Sequence, residues 1–156
     1  VRREQIAQLL GYMRHQMDVI KGILEQIRSS DVASVERTVT LGYYLHNFYS
    51  AMEDLFAEIA STFENRIESP TAYHRELVRR MAMEIPTIRP PVLSAQSAIL
   101  VDELRAFRHV FRHSYNYNLD PERVSSLQQK LLAGWDRIEQ DLLSFEQFLW
   151  EQLQSE

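Results

Sequence analysis

Apolar residues return at alternating intervals of four and three positions near the start of this chain: Ile6, Leu10, Met13, Met17, Ile20, Leu24 and Ile27. A half-buried strand would instead bury every second residue, so this spacing fits a helix with one face against a partner. The polar run Arg28-Ser29-Ser30-Asp31 ends that helix with cap-forming residues. A second stripe follows through Leu41, Leu45, Phe48, Met52, Leu55, Ile59 and Phe63, on a helix of about 30 residues. Gly42 is its expected weak point, where a bend would form. With only 4 Gly and 5 Pro in 156 residues, the chain lacks the turn material of an all-β fold.

The remaining elements are marked by their caps. Ser69-Pro70 reads as an N-cap followed by proline at the first helical position, opening a short third helix through about Met83. The segment from Ile85 to Ser94, IPTIRPPVLS, cannot be helical, because Pro86, Pro90 and Pro91 remove donors and restrict the residues before them. It predicts a stiff crossover rather than a domain linker, since neither flank carries a complete core. Ser94 then caps a fourth helix through about Ser114, and residues 116–119 form a turn. Asp120-Pro121 repeats the cap-and-proline signature and opens a fifth helix, with a stripe at Val124, Leu127, Leu131, Trp135, Ile138, Leu142, Phe145 and Leu149. The expectation is one all-α domain over residues 1–156, a five-helix antiparallel bundle with short connections.

Composition narrows the function classes. Without cysteine there is no disulfide framework, thiolate metal site or cysteine nucleophile. No run approaches the roughly 20 apolar residues that span a bilayer, and the first residues lack the apolar core of a signal peptide. A cytoplasmic location, with no membrane partner, is the default expectation. The net charge of −5 argues against broad, non-specific nucleic-acid binding. The charge is uneven, however: between Leu104 and Leu119 stand Arg105, Arg108 and Arg112 and no acid.

On a helical wheel of the fourth helix, Leu100, Leu104, Phe107 and Phe111 share one arc and should face the core. Arg105, Arg108, His109, Arg112 and His113 share another, spanning about 140°. Tyr115 falls near Arg108 at the edge between the two faces if the helix reaches it. A basic helix face is ordinarily just a solvated surface. This one also holds two histidines, which titrate near neutrality.

The segment RAFRHVFRHSY contains Arg108, four residues, His113, one residue and Tyr115. It resembles the R-x4-H-x-Y signature of HepT-like toxins in the HEPN superfamily. The resemblance extends to LHNFYSAMEDLFAEIA in the second helix, to the IRPPVLS crossover and to NLDPERV at the start of the last helix. It implies a HEPN-type bundle and a metal-independent endoribonuclease without a cofactor, acting as a homodimer in which two motif copies meet across a two-fold axis. His113 would then act as general base toward the ribose 2′-OH or protonate the leaving oxygen, and Arg108 would neutralise phosphate charge in the transition state. Arg105, His109 and Arg112 would contact the RNA substrate. Tyr115 would correspond to the tyrosine that a partner MNT-type nucleotidyltransferase antitoxin adenylylates to silence the toxin. One departure concerns His109, since many members carry a small polar residue, often Asn, directly after the motif arginine.

Two other readings compete. His109 and His113 form an i, i+4 pair that could share a metal ion, with His15, His46 or His74 as a third ligand, although the neighbouring arginines oppose a bound cation. The domain could also be a non-catalytic helical module that binds nucleotide, RNA or a nucleotidyltransferase. An intact Arg108, His113 and Tyr115 favours the enzyme.

Overall fold

The helical stripes and caps become five α-helices among the described residues, which are 2–64, 73–114 and 118–155 of the computed structural model. They are α1 (Arg3–Arg28), α2 (Val35–Phe63), α3 (Tyr73–Met81), α4 (Ala95–Arg112) and α5 (Pro121–Gln154). The fold is all-α, as the spacing predicts, and no described helix is long and apolar enough to cross a membrane. The Ser69-Pro70 signature lies outside the described residues.

Local chemistry accounts for the helix ends. Ser30 Oγ donates to the Gln26 carbonyl at 2.6 Å and closes α1. Ser34 starts α2 by accepting from the Arg37 amide at 3.1 Å. Asp120 accepts from the Glu122 amide at 3.0 Å, with Pro121 in the first turn of α5. The helices α3 and α4 end slightly before the expected Met83 and Ser114. In both, the next amides bond three residues back, Ala82 to Arg79 and His113 to Val110, so a tighter turn replaces the last α-helical one.

Long-range pairs fix the packing. Along α1 and α5, Lys21 meets Glu139 and Arg14 meets Glu146, while Gln128 Nε2 donates to the Ile27 and Ser30 carbonyls at 2.8 Å. The two helices therefore run antiparallel. The same order holds for α4 and α5, where Ser94 meets Asp141 and Glu103 meets Lys130. All the α1 and α5 stripe residues are buried, in one continuous core. Each fully buried Leu, Ile or Phe adds about 1.5–3 kcal/mol of hydrophobic stabilisation before the entropic cost of ordering it.

The second helix is the centre of the bundle, in contact with all four others. Tyr49, Phe56, Ala51 and Ala60 are therefore buried in addition to its expected stripe, of which Phe63 alone is only half-buried. Gly42 acts through space rather than through weakness, since α2 is helical without a break. A Cβ there would stand 3.0 Å from Leu119 and 3.2 Å from the Phe111 ring. Its missing side chain lets the end of α4 and the start of α5 close against α2.

The proline-bearing crossover is held by an ion pair that sequence spacing did not reveal. Arg89, whose side chain is fully buried, binds Glu64 and also donates to the carbonyls of Arg80, Met83 and Pro90 at 2.9–3.1 Å. The Val92 and Leu93 amides both bond the Met81 carbonyl. The crossover is thereby tied to the ends of α2 and α3, which fixes where α4 begins.

Candidate functional site on the outer face of the fourth helix

The register of α4 is set at its N-terminus. Ser94 Oγ accepts from the Ser97 amide at 3.3 Å, while the Ser94 amide and hydroxyl both donate to Asp141 of α5, at 2.9 and 2.8 Å. Ser97, Val101, Leu104 and Phe107 then face inward and are buried. Leu100 and Phe111, expected in the core, are only half-buried and pack against its edge. The inward arc is thus turned slightly toward Val101, because α4 lies between α2, α3 and α5 rather than on one partner.

Three of the five cation-capable residues stand on the outer face, and two lie at its border. His109, Arg112 and His113 are exposed, while Arg105 and Arg108 are half-buried at the border. They are not equally free. Arg105 Nε donates to Asp102 Oδ1 at 2.7 Å, one turn back on the same helix. Arg108 and Arg112 make no ion pair among the described residues, and the Arg108 Nε is buried without a hydrogen-bond partner there. An unsatisfied donor of this kind costs about 1–3 kcal/mol. The face therefore presents two uncompensated guanidinium groups one helical turn apart.

His113 occupies the C-cap of α4. Its Nδ1 lies 2.8 Å from the His109 carbonyl oxygen, and its ring stacks on the His109 ring at 4.3 Å between centroids. A carbonyl oxygen only accepts, so Nδ1 carries the hydrogen in this geometry. The neutral ring is left with its lone pair on Nε2, and that atom is able to take a proton from a ligand.

Side chains of α2 and α3 stand behind this face. The His46 ring of α2 packs on Phe111 of α4 at 5.5 Å between centroids. Burial pushes its imidazole below the ordinary histidine range; its contact with Asn47 works upward, and the charges of Arg108 and Arg112 push it down further. One helical turn along α2, Tyr49 donates its hydroxyl to Glu53 Oε2 at 2.8 Å, and His74 of α3 reaches the same oxygen at 2.7 Å. Burial and the Glu53 carboxylate hold the Tyr49 phenol far above its usual range, against a weaker pull from Arg105 and Arg108. The sequence did carry a signal for these groups. His46, Tyr49 and Glu53 repeat at three and four positions, a polar-tipped line within a largely apolar helix.

Tyr115 lies outside the described residues. Among those described, no group of three or more His, Asp or Glu is arranged to hold a metal ion. His74 is engaged by Glu53, and His46 lies against two positive charges. Both are poor surroundings for a third ligand to a His109–His113 ion.

Comparison with known proteins agrees with the all-α fold. Neither curated proteins nor solved structures give a match. A family model described as HepT-like protein matches residues 40–149, most of the chain, running from α2 into α5 and including the whole of α4. That family is in general one of ribonuclease toxins. With that match over most of an all-α chain, the protein belongs to the HepT-like proteins of the HEPN superfamily.

Proposed function

We propose that this protein is a metal-independent endoribonuclease, folded as one domain over residues 1–156, whose chemistry lies on the outer face of α4. One observation carries the reading. Among the described residues, Arg108 and Arg112 stand without ion-pair partners beside a histidine, His113, whose free nitrogen is Nε2. In the reaction, His113 Nε2 accepts the proton of a ribose 2′-OH as that oxygen attacks the adjacent phosphorus. Arg108 stabilises the extra negative charge on the phosphorane-like transition state. Its planar fork suits a phosphate better than an ammonium does. Arg112 holds the RNA backbone, with His109 beside it and Arg105 in a lesser part because Asp102 competes for it. His109 stacks on His113 and offers it a carbonyl rather than a side chain, so the imidazole after the motif arginine is compatible with the chemistry.

An exposed face of one helix gives RNA little enclosure. The active form is therefore a two-fold homodimer, in which two copies of Arg108 and His113 border one groove. A partner nucleotidyltransferase silences it by transferring AMP from ATP to the Tyr115 phenol, with pyrophosphate leaving. The added phosphate places negative charge where RNA phosphate would sit.

The purified chain should cut RNA in excess EDTA and run as a dimer by light scattering. A monomer that retains the activity rejects the composite groove, and cleavage that collapses on chelation and returns with zinc rejects the metal-independent mechanism. RNA binding without cleavage leaves a non-catalytic binding module. Co-expression with the nucleotidyltransferase should add AMP mass that maps to Tyr115, and Tyr115→Phe should abolish the gain.

A further inference from the structure

The ribonuclease reading uses groups of α4 and leaves out the histidine that faces them from α2. His46 is half-buried, and its ring lies on Phe111, one residue before Arg112 and three after Arg108. The charges that work against a protonated ring are those of the same two arginines of α4. Its own helix supplies the uncharged Asn47, whose Oδ1 lies 3.4 Å from Nδ1. The other ring nitrogen, Nε2, is the one left for a ligand. A phosphate drawn to Arg108 and Arg112 thus enters a corner that already contains the His46 imidazole.

We propose that His46 is a further substrate-contacting residue of this site, meeting the phosphate that Arg108 and Arg112 hold and donating a proton to the oxygen that leaves. This rests on the ribonuclease reading for its chemical step. In the free protein burial, helped by the two guanidinium charges, disfavours the protonated form of His46. A bound phosphate cancels part of that positive field and adds an acceptor, so the ring takes up a proton as the anion binds. During cleavage, the 2′-OH proton goes to His113 as the 2′-oxygen forms its bond to phosphorus. The bond from phosphorus to the 5′-oxygen breaks, and that oxygen takes the proton from His46. The products are a 2′,3′-cyclic phosphate end and a 5′-hydroxyl end, with no co-reactant. Two imidazoles in opposite protonation states, supplied by different helices, give each proton transfer its own group.

The binding part is tested on the whole chain by following the histidine ring signals by NMR against pH, with and without inorganic phosphate or a 2′-deoxy dinucleotide that cannot be cleaved. The expected result is a His46 titration midpoint that moves upward by about one pH unit on binding. In His46→Gln, phosphate affinity should lose its strengthening toward pH 6. A His46 midpoint that stays fixed when phosphate saturates the site, or no phosphate binding at all, overturns the proposal. These readouts need no RNA cleavage, so they stand or fall separately from the ribonuclease reading. For the proton-transfer part, His46→Gln should lose about 10²–10⁴-fold in kcat and one limb of its pH–rate profile. Full cleavage with an unchanged profile overturns the donor role while leaving the ribonuclease intact.

Discussion

His113 Nδ1 lies 2.8 Å from the carbonyl oxygen of His109, one helical turn back on α4. This contact chooses the tautomer of the neutral ring and points the lone pair of Nε2 outward. Because His113 is an exposed cap residue, replacing it should leave the core intact. His113→Ala is expected to keep its melting temperature within a few degrees and to lose about 10²–10⁴-fold in RNA cleavage rate. Circular dichroism and a cleavage assay on the same preparation check both halves. A variant that cuts RNA normally removes His113 from the chemistry.

The arginines of this face should separate by their pairing. Arg112 makes no ion pair among the described residues, whereas Arg105 is held by Asp102 at 2.7 Å. Arg112→Ala should weaken RNA binding and lower the slope of log K against log salt by nearly one phosphate contact, about 0.7 for a single strand. Arg105→Ala should change that slope less. Releasing the pair with Asp102→Ala should tighten binding slightly. Salt titrations by fluorescence anisotropy measure all three, and equal losses for the two arginines would contradict the pairing argument.

Stability should fall on mild acidification, through His46. Its folded-state imidazole is pushed below the ordinary value of 6.5, mainly by burial. The unfolded chain therefore binds this proton more readily than the folded one. The contribution is fully present above about pH 6.5 and is lost as pH falls through the lower folded-state value. Urea midpoints measured from pH 7.5 to 5 should decline in the native chain and decline less in His46→Gln. Saturating phosphate should reduce the native decline as well. Parallel curves for native and variant proteins would show that His46 does not drive it.

The crossover should depend on its buried ion pair. The Arg89 side chain is fully buried, and that of Glu64 is only 5% exposed. Arg89→Met leaves the carboxylate with Arg80 as its remaining ionic partner and frees three carbonyls. A cost of about 3–5 kcal/mol is expected, because a buried charge loses its main counter-charge. Adding Glu64→Leu should recover part of it, since the unpaired acid is then gone. Chemical denaturation reads both variants, and a loss under 1 kcal/mol for Arg89→Met would mean that solvent already reaches this pair.

Sequence alone determined the helices and the outward face of α4. The stripes of α1 and α5, the caps at Ser34, Ser94 and Asp120, and the shared arc of Arg105, Arg108, His109, Arg112 and His113 are all local. Each depends on residues within a turn or two, where 3.6-residue periodicity and backbone hydrogen bonding decide the outcome. Tertiary structure decided which faces meet. Nothing in the spacing of α2 says that Gly42 will seat Phe111 and Leu119, that His46 will lie beside Arg108 and Arg112, or that Arg89 will find Glu64 across 25 positions. The periodicity of a helix records which side is buried but not against which helix. That choice comes from packing five faces into one core, where contacts distant in sequence are stabilising only once the whole bundle has formed.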